Sequence, residues 1–284
     1  MSSELIILHR RELLKTVAFG GLGVSSIMCA TFCGCRTAPI TGRKQMLLMP
    51  ESQELQLGQQ AYSETMSQEP ISQNPRNTQI VNRVGQRIAA VSGRSDYQWE
   101  FKLINSPTQN AFCLPGGKVA VYEGILPVCQ NEAGLAVVMS HEVAHALARH
   151  GGERMSQEFA TQGVQKVIGT ITQKQVPEKH ELLMQAYGLG TKYGVLLPYS
   201  RKQESEADHI GVMLMAQAGY DPHEAPRFWQ RFAQSNAGLQ QPEFLSTHPA
   251  DERRAADLVA LLGEAKNHYT ASKQQFGLGE YFSA

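Results

Sequence analysis

The sequence predicts an α+β fold, mostly helical with a small sheet, and three observations carry that prediction. Several long segments are free of proline, space their apolar residues as helices do and are bounded by capping residues, whereas two short segments alternate as strands do. With 284 residues, 42% apolar and 18% charged, the chain has apolar material for one buried core plus appendages. Its 26 basic and 26 acidic residues balance, which removes the electrostatic argument for binding nucleic acid, and no nucleic-acid partner is expected.

The N-terminus stands apart. His9, Arg10, Arg11 and Lys15 precede an uncharged stretch from Thr16 to Cys35, after which Arg36, Arg43 and Lys44 restore charge. That is the pattern of an export signal. Gly20, Gly21, Gly23, Ser25 and Ser26 leave the stretch weakly hydrophobic and short for a membrane span of about 20 strongly apolar residues, so a cleaved segment is expected rather than an anchor helix. The run RRELLK from Arg10 to Lys15 resembles the twin-arginine export consensus, and Phe32 to Cys35 resembles a lipobox that would place lipid on Cys35. The alternative is an ordinary secretory peptide cleaved nearby. The expected division is an export signal with lipobox over 1–35, an extended or weakly ordered tether over 36–50, a folded domain over 51–265 and a C-terminal tail over 266–284.

Within the domain, Glu51 to Met66 reads as a helix, and Thr78 to Val91 is amphipathic with Ile80, Val81, Val84, Ile88 and Ala89 inward. Trp99 to Ile104 alternates as a strand and can pair with Lys118 to Tyr122, which follows a turn at Pro115, Gly116 and Gly117. Glu132 to His150 lacks proline, has Asn131 as N-cap and is followed by Gly151 and Gly152, giving a helix of about five turns. The stretch from Gly152 to Gly194 is variable in character, either a lid or a spacer. A second well-marked helix starts at Ser200 after Pro198, stops at Gly219, and turns Ala207, Ile210, Leu214 and Met215 inward.

The first of these two marked helices carries Ser140-His-Glu-Val-Ala-His145. One turn apart, His141 and His145 share a face and can both reach one Zn²⁺ at about 2.0 to 2.1 Å. Glu142 sits about 100 degrees round the helix, too far to join that ligand pair but placed to take a proton from a water at the metal. A chance occurrence of the pattern is the competing reading. Such a site needs a third protein ligand and one open position. On the second helix Glu204 and Asp208 share a face while Glu206 points away. Glu204 is the expected third ligand, and Asp208 the carboxylate that accepts from the free ring nitrogen of a ligating histidine. Without the histidines, the same cluster would read as a solvated helix N-terminus. His150 is expected to serve the helix dipole rather than a metal, and His209 to face solvent. His180, His223 and His268 carry no spacing signal. Cys113 and Cys129 are either a disulfide or two buried thiols.

The motif HEVAH followed by ESEAD resembles the gluzincin zinc metallopeptidase family of HtpX, BepA, LoiP and the mitochondrial OMA protease, with the resemblance running from about Ile40 to about Leu262. It implies a zincin-like metallopeptidase domain, a small sheet beside the H-E-x-x-H helix and one Zn²⁺ per chain. The segment from Asn110 to Gly124 resembles the family's N-A-F-A-x-P-G-G segment, with Cys113 where alanine is common. That makes Asn110, Gly116, Gly117 and Val119 parts of a strand edging the cleft and binding substrate backbone, or else of a core hairpin without substrate contact. Thr247, His248, Pro249 and Arg254 resemble the H-P-x-x-x-x-R motif. The resemblance implies that His248 is a removable fourth ligand that keeps the enzyme latent, against a plain turn histidine, and that Arg254 contacts substrate or pins the loop.

Lacking an apolar span after Cys35 and any repeat of about 34 residues, the chain compares best with single-domain lipoprotein members such as LoiP. The expected function is a zinc endopeptidase acting on misfolded or stalled proteins of the bacterial cell envelope. Lipid would hold it at the periplasmic side of a membrane, as an outer-membrane lipoprotein. The alternatives are a chaperone-like outer-membrane assembly factor with a latent peptidase site, and a lipoprotein with a structural zinc.

Overall fold

A computed structural model describes residues 35–168, 186, 199–235, 243–248 and 253–282. The expected export signal up to Gly34 and most of the stretch between the two site helices lie outside them. The described residues open with an antiparallel hairpin, β1 (Cys35–Thr37) and β2 (Lys44–Met46), followed by α1 (Glu51–Gln68) and α2 (Pro75–Val91). Proline is tolerated at a first helical position and Asn74 accepts from the amide of Asn77 at 3.1 Å, so α2 starts almost a turn earlier than periodicity alone predicts.

Three strands follow: β3 (Glu100–Ile104), β4 (Ala111–Leu114) and β5 (Lys118–Tyr122), in the order β3-β5-β4. β3 runs parallel to β5 and β4 antiparallel to it. Phe101, Leu103, Cys113, Val119 and Val121 join the main core, whereas Ile104, Phe112, Leu114, Ala120 and Tyr122 pack with Tyr62 of α1 in a second cluster. With both faces covered, β5 is buried throughout. This corrects the expected substrate strand. Val119 is paired with Phe101 on one side and Cys113 on the other, so its backbone has no free edge. Gly116 and Gly117, with φ of +91° and +83°, form the turn between β4 and β5, and Asn110 is buried with its side-chain oxygen accepting from Ala111. The expected pairing of β3 with β5 is present, and β4 on the other side leaves β5 central. The outer strands of this sheet are β3 and β4.

A 3₁₀ turn (Glu123–Ile125) and α3 (Leu126–Cys129) lead into α4 (Glu132–Leu147), buried from Glu132 through Ala146 and capped by Asn131, whose side chain accepts from Gly134 at 2.9 Å. The predicted continuation to His150 fails. Arg149 takes a left-handed φ of +53°, held there by its side chain, which donates to Glu54 at 2.6 and 3.1 Å and to the carbonyl of Met49 at 3.0 Å. The chain restarts as α5 (His150–Ile168), so the first part of the expected spacer is helix. Next come α6 (Arg201–Gln217), α7 (Glu224–Ser235), the short α8 (Glu243–Thr247) and α9 (Arg253–Ala271). At Gly211 of α6 an added Cβ would lie 3.1 Å from the amide nitrogen of His141, so the glycine lets the two site helices approach.

Both chain ends of the domain differ from expectation. The predicted tether is the hairpin: Gln45, Leu47 and Met49 point inward, Gln45 donates to the carbonyl of Ala148 at 2.5 Å, and the amide of Leu48 donates to Ser156 at 2.9 Å. The outward residues Met46 and Leu48 are apolar too, which hides the alternation. The predicted tail also belongs to the domain. After α9 it returns along the start of α4, where the amides of Glu132 and Ala133 donate to Glu280 and Leu278 at 2.9 and 3.0 Å, satisfying helix-terminal donors. Cys113 and Cys129 are buried free thiols. Among the described residues no helix is long and apolar enough to cross a membrane.

Candidate active site

Four side chains converge where α4 meets α6: His141 and His145 from α4, Glu204 from the first turn of α6, and His248 just past α8. The start of α6 is set by a capping box in which Ser200 accepts from the Gln203 amide at 3.3 Å and Gln203 accepts from the Ser200 amide at 3.1 Å. The Nε2 atoms of His141 and His145 lie 3.1 Å apart, and each is 3.4 Å from an oxygen of Glu204. His248 Nδ1 lies 3.3 Å from His141 Nε2 and 3.0 Å from Glu204 Oε1.

A tetrahedral Zn²⁺ with bonds of about 2.0 to 2.2 Å separates its ligand atoms by roughly 3.4 Å, so these spacings fit one ion. Among the described residues the buried Glu204 Oε2 makes no aligned hydrogen bond, its near neighbours being His141 Nε2 at 3.4 Å and the Arg254 guanidinium at 2.8 Å. His141 Nδ1 faces Asp208 at 3.0 Å, which places the ring proton there and leaves the Nε2 lone pair for the cluster. Against burial, the bonds to Asp208 and Glu204 push the His141 pKa up to about 9, while His145, dominated by burial, is held well below its ordinary value. A donor set with this negative character accepts a cation, and zinc matches its two to three imidazoles and one carboxylate.

Glu142 lies beside the cluster, buried, its Oε1 without a hydrogen-bond partner and 3.3 Å from His248 Nε2. Burial raises its pKa from the ordinary carboxylate value, with His248 and His141 opposing. His248 thus reaches the metal donors with one ring nitrogen and Glu142 with the other. It is held by a ring stack on Phe244, centroids 4.4 Å apart, and the segment is tied down by the Tyr199 amide, which donates to Thr247 at 2.9 Å.

Arg254, expected to contact substrate or pin the loop, lies against Asp208 and Glu204. It is buried, donates in parallel to both oxygens of Asp208 at 2.7 Å, lies 2.8 Å from Glu204 Oε2, and stacks 3.6 Å above Trp229. Two buried carboxylates require a countercharge, and Arg254 supplies it. Against burial, Arg254 and His141 keep Asp208 below its ordinary value, and His248 and Arg254 do the same for Glu204.

Two further residues escape sequence reasoning. His150, expected as a dipole partner, is fully buried with Nδ1 2.9 Å from His145 Nδ1 and Nε2 2.9 Å from Glu206. Glu206, expected merely to point away, is buried and receives Arg43 and Thr41 of the N-terminal hairpin. Helical spacing separates His150 from His145; only the left-handed Arg149 brings them together. His180 and Pro249 lie outside the described residues.

The sequence matches the family described as Peptidase family M48 over residues 75–262, from α2 into α9 and including every side chain of the cluster. It is similar to the mitochondrial metalloendopeptidase OMA1 of Schizosaccharomyces pombe, 40% identical over 232 residues that cover 80% of this chain and 66% of that protein. OMA1 of Saccharomyces cerevisiae is 32% identical over 266 residues, 87% of this chain and 74% of that protein. The beta-barrel assembly-enhancing protease of Escherichia coli (strain K12) is 27% identical over 248 residues, 86% of this chain and 51% of that protein. The chain therefore spans between half and three quarters of the length of these relatives, and it belongs to peptidase family M48.

Proposed function

We propose that the chain is a zinc-dependent endopeptidase that hydrolyses misfolded or stalled proteins of the bacterial cell envelope, held by lipid on Cys35 at the periplasmic side of a membrane, as an outer-membrane lipoprotein. The observation that carries the hydrolytic reading is Glu142, a buried carboxylate beside a metal-fitting cluster to which it contributes no ligand. A structural zinc would have no use for it.

His141, His145 and Glu204 would hold the zinc, which supplies Lewis-acid polarisation of the scissile carbonyl and acidifies water. Glu142 takes the proton of the attacking water and returns it to the leaving amine. Asp208 fixes the His141 ring, and Arg254 neutralises the carboxylates behind it. The edge strand β4, packed against α4, is the place for an extended substrate backbone to pair. For a substrate carbonyl to reach the zinc His248 would have to withdraw, and its place within the cluster supports reading it as a removable fourth ligand.

The place of His248 also supports the second reading, a chaperone-like outer-membrane assembly factor whose peptidase site stays shut; the name of the Escherichia coli relative, a beta-barrel assembly-enhancing protease, points the same way. The envelope location rests on the charge pattern of residues 1–35. Cleavage of casein by the form starting at Arg36, compared with Glu142→Gln at matched zinc and with a chelator, separates the readings. Cleavage lost in both controls supports the endopeptidase; client binding that survives Glu142→Gln without any cleavage in wild type supports the assembly factor. Cys35→Ser is expected to move the full chain from the membrane to the soluble fraction, and an unchanged distribution would remove the lipid anchor from the proposal.

A further inference from the structure

The contacts behind His145 have only one consistent proton arrangement. In the zinc reading on which this inference rests, His145 gives Nε2 to the metal, so the proton of its neutral ring sits on Nδ1. That atom faces Nδ1 of His150 at 2.9 Å. His150 must accept there, which puts its own proton on Nε2, 2.9 Å from Glu206 Oε2. Glu206 accepts that bond together with one from Arg43 Nε at 2.5 Å and one from the Thr41 hydroxyl. Arg43 is in turn held by both oxygens of Glu153 at 2.7 Å. Reversing the His145–His150 link would set His145 Nδ1 without its proton and cost it the Nε2 lone pair, and turning His150 to the other tautomer would oppose two N–H groups in a fully buried pocket.

We propose that Glu206 and His150 are positioning residues that fix the tautomer and orientation of the metal ligand His145, and that Arg43 and Thr41 of the N-terminal hairpin hold this relay in place. The site then has a carboxylate behind each ligating histidine, both from α6: Asp208 touches His141 directly, and Glu206 reaches His145 through an inserted ring. The insertion is possible because α4 stops at Leu147 and the left-handed Arg149 swings His150 back against it. The hairpin that follows the candidate lipid site is thereby coupled to metal binding.

The test uses the zinc-loaded full chain and two readouts besides activity: zinc affinity by chelator competition, and imidazole ¹⁵N spectra that report which ring nitrogen carries the proton. His150→Phe should weaken zinc binding about 10- to 100-fold, and His150→Gln, whose amide can accept from His145 and donate to Glu206, should recover most of it. Glu206→Gln should weaken binding less, and wild-type His150 should be neutral with its proton on Nε2. Zinc affinity within about twofold of wild type in both His150→Phe and Glu206→Gln, or a proton on His150 Nδ1, overturns the relay. If His150→Phe fails to fold, Glu206→Gln and the wild-type spectrum decide. A wild-type chain that holds no zinc overturns the metal assignment instead, a distinguishable result.

Discussion

Glu132 and Glu142 stand on the same helix, both buried, and differ in what faces them. Glu132, in the first turn, receives Arg83 at 2.5 Å, Arg87 at 3.0 Å and the Tyr220 hydroxyl at 2.8 Å. Burial alone would raise its pKa; Arg83 and Tyr220 hold it below its ordinary 4.5. At Glu142, Oε1 has no hydrogen-bond partner and a histidine ring is its near neighbour, so burial wins and the pKa rises. One residue type on one helix thus serves as a clamp where cations cage it and, in the proposed reaction, as a proton acceptor where they are withheld.

The comparison breaks most visibly at Glu142. Glu142→Gln is expected to lower casein cleavage about 10²- to 10⁴-fold while zinc content is unchanged, because the ligands remain. Parallel cleavage and zinc assays check it. Glu132→Gln should instead destabilise the fold by roughly 1 to 3 kcal/mol in denaturant titration, since two arginines lose their charge-assisted partner, with cleavage per folded molecule retained. If Glu132→Gln removes activity without loss of stability, the division between clamp and base fails.

His248→Ala sharpens the contrast from the other side. Opening the site that His248 is proposed to keep latent should raise cleavage about tenfold, measured at equal zinc occupancy. The smallest effect concerns pH. Glu132 has a folded pKa below its ordinary 4.5, so its contribution to stability is present above that value and is lost as pH falls through the folded pKa. Denaturation at pH 6 and pH 3 should show a decrease in stability that is smaller in Glu132→Gln than in wild type.

Much of the chemistry is legible in the chain because it is local. His141, Glu142 and His145 lie within one turn or so of a strongly marked helix, and Glu204 and Asp208 share a face of another; helical geometry alone sets which atoms can converge. The two strands and the turn between β4 and β5 are legible for the same reason. The pairing of β3 with β5 is legible too, but the closing of the other side of β5 by β4 is not, and the apolar outward residues Met46 and Leu48 conceal the hairpin behind them.

By itself, then, the sequence determined the site helices, the ligand types and their spacing, since these follow from backbone periodicity and side-chain chemistry. Only the tertiary structure decided where the remaining charges go. Arg254 turns inward because Asp208 and Glu204 need a countercharge away from water, and His150 comes to lie against His145 because Arg149 reverses the chain to reach Glu54. The tail closes on α4 because the first amides of a buried helix must find acceptors. Each of these is a demand created by burial, and burial exists only once distant segments have packed.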